Sequence, residues 1–197
     1  MHLNEYHVLA QRTAKQYDTQ IENLNHAALG MATEFLESMV ATEPEHIKEE
    51  VTDFVWYIPV ACEALGFKMG NLMAEYMGVD VEHVTAAHVQ GALPEDLTDP
   101  IMSIRDCGAK AAGDFITMVK RLKIYEKPLT DAMVLQAKQD LVHMILWAAA
   151  MADRNDQTFA SWLRFNIDKL KDRFPDAYSD AAAEARADKH GLDARVS

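Results

Sequence analysis

The chain has 197 residues, of which 49% are hydrophobic and 25% are charged, and its formal net charge at pH 7 is −12. This composition is typical of a globular protein, and the length suits one domain with a buried core. The negative charge argues against binding a nucleic-acid polymer, because that binding depends on lysine and arginine side chains that neutralise phosphates. A nucleotide ligand is compatible with it, since a bound metal ion can supply local positive charge inside an acidic protein.

The residue content favours an all-α fold in a soluble, cytoplasmic protein. There are only eight glycines and six prolines, helix-forming residues are frequent, and no stretch alternates convincingly as a strand would. Cys62 and Cys107 lie in apolar helical stretches and indicate no disulfide framework, as expected in a reducing compartment. The N-terminal residues lack a signal-peptide core, and the longest apolar run, Met144 to Ala152, is too short to span a bilayer.

Three helices are predicted in the first third of the chain. The first runs from Leu3 to about Tyr17, the second from about Thr19 to Ala41, and the third from about Glu45 to Leu65. Pro44 marks the start of the third helix, because proline is favoured at the first helical position. Pro59 lies inside it and should bend it. The short break between the second and third helices predicts an antiparallel hairpin.

Two pairs of acidic residues lie on this hairpin at i, i+3 spacing. Glu34 and Glu37 share one face of the second helix, and Glu50 and Asp53 share one face of the third. If the faces meet, four carboxylates form a cluster whose repulsion calls for a hard divalent cation, Mg²⁺ or Mn²⁺. Ordinary solvated acids on two amphipathic helices are the alternative interpretation, and the residue pattern alone leaves both open.

The pattern is weaker from residue 68 to residue 100. Gly66 is expected to end the third helix, and short helical pieces are predicted at Asn71–Met77 and Val81–Gln90. His83 and His88 lie in this region, five residues apart and without a metal-binding pattern, so we interpret them as surface histidines.

Two long helices follow, at Ile101 to Lys123 and Leu129 to Arg154. They weakly repeat the first hairpin, with Asp114 and Asp140 at the positions of the first acid of each pair. An internal duplication that lost the paired carboxylates would explain this, and so would the general likeness of apolar hairpins. Asp140 and His143 also raise a di-iron bundle as an alternative, although only one imperfect copy of its motif is present.

The last informative segment runs from Trp162 to Ser179. Asn166, Lys169 and Arg173 share one helical face there, and a donor with two cations suits phosphate oxygens. A solvated basic face is the alternative. The tail from Asp180 to Ser197 is predicted to hold a short helix and a frayed end.

Together these motifs resemble the all-α nucleoside triphosphate pyrophosphatases of the MazG-like superfamily. The resemblance is carried by E-x-x-E at residues 34–37 and by E-x-x-D at residues 50–53 followed by Phe-Val-Trp-Tyr. The lead-in at residues 24–30 and the opening at residues 3–14 are similar to the family's. The closing helix of the family, N-x-x-K-L-x-x-R-[YF]-P, matches residues 166–175.

The resemblance implies a helical bundle of the MazG-like type that hydrolyses a nucleoside triphosphate, in nucleotide-pool control, to monophosphate and pyrophosphate. It implies that Mg²⁺ is held by Glu34, Glu37, Glu50 and Asp53. It also implies substrate contacts: Asn25 with the base, Tyr57 with a phosphate or the sugar, and Asn166, Lys169 and Arg173 with phosphates. For Asn25, a polar residue that caps or solvates the helix is the alternative.

One position departs from the family pattern. Thr33 stands where many relatives carry an additional acid, so Glu49, the metal alone or an altered activity must account for water activation. We expect one MazG-like domain, with a motif half at residues 1–66 and a packing half at residues 97–175, and a homodimer or higher oligomer. The base and sugar remain open, and a non-catalytic nucleotide-binding bundle is the alternative function.

Overall fold

The computed structural model describes residues 1–94 and 103–185, without the side chains of residues 103–106. The described residues are all-helical, which confirms the all-α prediction. A short 3₁₀ helix at Val81–His83 lies between α4 and α5. The nine α-helices of the described residues are α1 Leu3–Arg12, α2 Gln20–Val40, α3 Pro44–Ala64, α4 Met69–Met77, α5 Ala86–Gly91, α6 Ser103–Lys123, α7 Asp131–Arg154, α8 Phe159–Arg173 and α9 Asp180–Ala185.

The ends of α2 and α3 follow from local chemistry. The Thr19 side chain accepts a hydrogen bond from the Glu22 backbone and caps the start of α2. Pro44 occupies the first turn of α3, which continues through Pro59. Gly66 follows the end of α3 with a φ of +84°, a conformation that glycine adopts without steric cost. Only residues 41–43 connect the two helices, so α2 and α3 form the first hairpin.

The first hairpin packs against a second hairpin, made of α6 and α7. Helix α2 lies beside α6, and α3 lies beside α7. The rings of Phe35, Phe54 and Trp147 meet where the hairpins join, with centroids 5.0 to 6.0 Å apart. This arrangement is a four-helix bundle, and its core fixes how the acidic faces of α2 and α3 are presented.

Helices α1 and α8 pack against α3 outside the two hairpins. Tyr6 of α1 donates a hydrogen bond from its hydroxyl to Asn166 Oδ1 of α8 at 3.0 Å. Both side chains are fully buried. This contact joins α1 to α8 and holds α8 beside the acidic face of α3.

Two of the predicted helices depart clearly from their predicted limits. Helix α1 ends at Arg12 rather than near Tyr17, because the Thr13 side chain and backbone both bond to the Ala10 carbonyl. The Asn23 side chain then bonds to both backbone groups of Tyr17 and holds the non-helical connection. The piece predicted at Val81–Gln90 is split, because Thr85 caps a separate α5.

Other predicted features fall partly outside the described residues. Residues 101 and 102 of the helix predicted from Ile101 lie outside the described residues, as do residues 97–102 of the predicted packing half. The tail forms α9, and its remainder is not described. His83 and His88 are exposed. Among the described helices, none is both long and apolar enough to cross a lipid bilayer.

Candidate metal centre

Three carboxylates from the first hairpin converge in the structure. Glu34 of α2 and Glu50 and Asp53 of α3 each place an oxygen within 4.8 Å of the others. The i, i+3 spacing puts Glu50 and Asp53 on one face of α3, and the tight hairpin turns that face towards α2. Glu37 lines the same cavity, but it is exposed and is not part of this close group. Three of the four predicted acids are therefore in close contact.

The close approach changes the acidity of these groups. Burial, followed by the charges of Asp53 and Glu37, raises the pKa of Glu34 to about 8. Burial and the same two neighbours also raise the pKa of Glu50, and the two glutamates are hydrogen-bonded to each other. Like charges at this distance cannot all ionise without compensation. Protonation of Glu34, which its raised pKa favours at neutral pH, reduces the repulsion, and a hard cation bound by the same oxygens would displace that proton.

We expect the metal-free protein to lose about 1 kcal/mol of its free energy of unfolding between pH 7 and pH 9. Folded Glu34 keeps its proton up to about pH 8, whereas unfolded Glu34 releases it near its ordinary value of 4.5. Its contribution to stability is therefore complete below pH 4.5 and is lost as the pH rises through about 8. Urea titrations in the presence of a chelator measure the change. A flat wild-type profile, or an equally steep one for Glu34→Gln, would contradict this assignment.

Asp53 is neutralised by a residue of α8. Lys169 Nζ lies 2.6 Å from both carboxylate oxygens of Asp53 and 3.5 Å from Glu49 Oε1. The Lys169 side chain is only 9% exposed, so the pairs are well shielded from solvent. Asn166 adds a hydrogen bond from its Nδ2 to Asp53 Oδ1 at 3.0 Å.

The predicted basic face of α8 thus contacts a carboxylate in this structure. Asn166 is fully buried and its amide bonds to Tyr6 and Asp53, so a direct phosphate contact would require those bonds to break. Arg173 lines the cavity and donates to the Ala183 carbonyl at 3.0 Å. The predicted phosphate contacts of Asn166, Lys169 and Arg173 stay predictions.

We expect Tyr6→Phe to lower the free energy of unfolding by about 1 kcal/mol, because it leaves the buried Asn166 oxygen without its donor. Chemical denaturation measures this effect. Tyr76→Phe is the control, since Tyr76 is 50% exposed and its change should be close to zero. Equal effects of the two substitutions would contradict a stabilising role for the Tyr6–Asn166 contact.

The carboxylates line a cavity of about 350 Å³, which we call the acidic cavity. Cations also line it, namely Lys15, Lys169 and Arg173. A cluster of rings completes it, namely Tyr17, His26, Trp56 and Tyr57. His26 packs edge-on against the other three rings, with centroid distances of 5.3 to 6.2 Å. The cavity therefore combines acidic groups, cationic groups and ring surfaces.

Asn25, the predicted base-reading residue, lies in an adjoining cavity of about 460 Å³. Tyr17, His26 and Tyr57 line both cavities, so the ring cluster separates Asn25 from the carboxylates. Tyr57 lines the acidic cavity, and its predicted contact with a phosphate or the sugar stays a prediction. Burial, with the charges of Glu34 and Asp53, raises the pKa of its hydroxyl, which therefore stays protonated at neutral pH.

The structure also places the residues considered for water activation. Thr33 is exposed and its hydroxyl donates to the Gly30 carbonyl at 2.9 Å. Glu49, the alternative acid, is paired with Lys169. Glu37 is exposed beside the cluster and therefore has better access to water than Glu49.

Sequence reasoning missed three residues near the carboxylates. His46 Nε2 lies 2.9 Å from Glu50 Oε1, and their i, i+4 spacing was an available signal. Lys15 and Tyr17 line the acidic cavity. No motif marks them, because they follow the unexpectedly early end of α1.

The second hairpin does not repeat the acidic cluster among the described side chains. Asp140 is 3% exposed and accepts a hydrogen bond from Gln136 at 2.9 Å, whereas His143 is exposed. Burial raises the pKa of Asp140. Within the described part of the chain, three potential metal-ligating groups converge only at Glu34, Glu50 and Asp53, so Asp140 and His143 do not join such a group.

Comparisons with models of protein families, with curated protein sequences and with solved structures each find no match to this chain. The likeness to MazG-like proteins therefore rests on the quoted residues and stays a prediction.

Proposed function

We propose that the protein is a nucleoside triphosphate pyrophosphohydrolase, dependent on Mg²⁺ or Mn²⁺, that converts a nucleotide to its monophosphate and pyrophosphate. The observation that carries this proposal is the convergence of Glu34, Glu50 and Asp53 within 4.8 Å. Their cavity also holds the cations and rings that a nucleotide needs. Acidic, cationic and aromatic groups in one cavity match the three parts of such a substrate: the ion-bound phosphates, the outer phosphates and the base.

The donor set fits a hard divalent cation. All the converging ligand atoms are carboxylate oxygens, which such cations prefer, and burial together with the charges of Asp53 and Glu37 raises the pKa of Glu34. When bound, the cation would neutralise charge on the phosphate oxygens and make a water molecule more acidic. Glu34, Glu50 and Asp53 would hold it, with Glu37 at the edge of the group.

The remaining residues orient the substrate. Arg173, and Lys169 once the cation takes its place at Asp53, would present positive charge to the phosphates from α8. The faces of Trp56 and Tyr57 offer a stacking surface for a base. Because Thr33 carries no carboxylate and Glu49 is paired with Lys169, we assign acceptance of the proton from the attacking water to a Glu37 carboxylate oxygen.

A panel of ribo- and deoxynucleoside triphosphates, incubated with the protein and Mg²⁺, tests the proposal. Chromatographic separation should reveal monophosphate and pyrophosphate from a narrow set of nucleotides, and a chelator should stop the reaction. Diphosphate and free phosphate as products would contradict the proposal. Uridine, cytidine and purine nucleotides all belong in the panel, as do damaged nucleotides and alarmones.

One observation favours a second candidate, a non-catalytic nucleotide-binding bundle. Lys169 contacts both oxygens of Asp53 and thereby occupies the positions that an ion would take at this residue. If that pair persists, Asp53 is not available to an ion, only Glu34 and Glu50 of the converging group remain as ligands, and turnover would be absent. Nucleotide binding by calorimetry without turnover would support this second candidate.

A further inference from the structure

The segment formed by residues 174–185, which we call the strap, borders the acidic cavity. Phe174, Tyr178 and Ala183 of the strap line the cavity. The end of α1 holds its first part, because Arg12 donates to the carbonyls of Pro175 at 2.8 Å and Asp176 at 2.6 Å. These contacts involve backbone atoms of the strap and fix where it crosses the molecule.

The second part of the strap is held by cations of the cavity. Lys15 Nζ lies 2.7 Å from Asp180 Oδ1, and the Tyr178 hydroxyl donates to the same oxygen at 2.7 Å. These two hydrogen bonds lower the pKa of Asp180, so its carboxylate is charged at neutral pH. Arg173 also donates to the Ala183 carbonyl at the end of α9. Two cations that line the cavity are thus bound to strap atoms.

The Lys15–Asp180 pair is easily exchanged. The Lys15 side chain is 38% exposed and that of Asp180 is 70% exposed, and exposed ion pairs are weak because water and salt screen them. A polyphosphate in the cavity offers several charged oxygens within one molecule, and hydrogen bonds to such oxygens are stronger than those between neutral groups. The Asp180 carboxylate therefore occupies Lys15 in place of a phosphate oxygen, and a polyphosphate can displace it.

We propose that Lys15 binds the phosphate chain of the substrate and that Asp180 masks its ammonium group until a polyphosphate replaces the carboxylate. This inference rests on the proposed function, which supplies the polyphosphate. In this arrangement the strap competes with the ligand, because Asp180 and the phosphate chain bind the same Lys15 ammonium group. Removal of the Asp180 charge should then improve phosphate binding, and removal of Lys15 should weaken it.

Isothermal calorimetry with inorganic tripolyphosphate and Mg²⁺ tests this assignment on the full chain. We expect Lys15→Ala to weaken binding about tenfold, through the loss of one charge-assisted contact, and Asp180→Asn to tighten it about threefold. Asp176→Asn is the matched control, because it removes the same charge from the strap while the Asp176 contact to Arg12 uses the backbone carbonyl. In the Lys15→Ala background, Asp180→Asn should no longer tighten binding.

Wild-type affinity in Lys15→Ala would overturn the assignment, as would equal tightening by Asp180→Asn and Asp176→Asn. Asp176 and Asp180 are exposed and the Lys15 side chain is partly exposed, so unfolding is not expected, and circular dichroism verifies it. The two proposals can fail separately. If no nucleotide is hydrolysed but tripolyphosphate binding follows the expected order, the enzymatic function fails and the role of Lys15 stands. If nucleotides are hydrolysed with unchanged KM in Lys15→Ala, the role of Lys15 fails alone.

Discussion

Replacing Glu50 by glutamine is expected to lower kcat/KM for the preferred nucleotide by about 10³-fold or more, or about 4 kcal/mol of transition-state stabilisation. The substitution leaves the shape of the side chain unchanged but removes one of three converging carboxylates. The glutamine oxygen can still accept from His46, which lies 2.9 Å from the corresponding oxygen of Glu50. The loss therefore reports the missing charge and ligand rather than a displaced helix.

The same substitution should stabilise the metal-free protein. Burial and the charges of Asp53 and Glu37 raise the pKa of Glu50, so the folded state disfavours its ionised form. Glutamine removes the repulsion, and its amide can donate to Glu34. We expect a gain of about 1 kcal/mol, which raises Tm by roughly 3 °C for a chain of this size. A loss of activity together with a gain in stability is typical of a functional site, where charged groups are kept close together at a cost in stability.

Glu45→Gln provides the matched control for this experiment. Glu45 lies on the same helix, pairs with Lys48 and has a 76% exposed side chain. Its replacement should change kcat/KM by less than about twofold and leave Tm almost unchanged, as usual for a surface charge. Full activity of Glu50→Gln, or equal losses in both variants, would contradict a catalytic metal centre at Glu50.

Gly30→Ala is expected to destabilise the protein by about 2 kcal/mol, the typical cost of overpacking a filled site. A Cβ at this position would lie 2.0 to 2.3 Å from three ring atoms of Tyr57. The ring cannot move freely, because it packs against Trp56 at 4.8 Å and His26 at 5.5 Å between centroids. The methyl group must therefore displace the ring cluster that lines the acidic cavity, and substrate affinity should fall as well.

Gly113→Ala is the control that separates the overpacking at Gly30 from the gain in helix propensity that any glycine-to-alanine change in a helix brings. Gly113 lies in α6, and an added Cβ there meets no described atom within 4 Å. Alanine should stabilise that helix by up to about 1 kcal/mol. Chemical denaturation of both variants gives the comparison. In the Tyr57→Ala background the ring that the methyl group would displace is absent, so Gly30→Ala should lose most of its effect on the free energy of unfolding there. A double-mutant cycle of Gly30→Ala and Tyr57→Ala measures this difference. Additive effects in that cycle would contradict the proposed clash.

The helices and the meeting of the acidic pairs were predictable because both depend on local spacing. Apolar periodicity located α2 and α3, and a short connection at Pro44 required them to be antiparallel. The spacing of Glu50 and Asp53 then put both acids on the inner face. Glu37 departs from the expected four-acid cluster, since one helical turn beyond Glu34 the α2 face is already exposed.

The surroundings of the carboxylates were less predictable because they depend on long-range packing. The basic face of α8 was visible in the sequence, but its partner was not, and Lys169 in fact neutralises Asp53. The position of Lys15 depends on the end of α1 and on the path of the strap. Neither follows from periodicity, since contacts such as Lys15–Asp180 join residues far apart in the chain.

Hydrolysis of the preferred nucleotide in ¹⁸O-labelled water tests the central claim most directly. Mass spectrometry of the products identifies which phosphorus atom the water attacked. The proposed activity predicts that the label enters the monophosphate and that the pyrophosphate stays unlabelled, with no reaction in the absence of divalent cation. Label in pyrophosphate or in free phosphate, or no cation-dependent hydrolysis of any nucleotide, would contradict it.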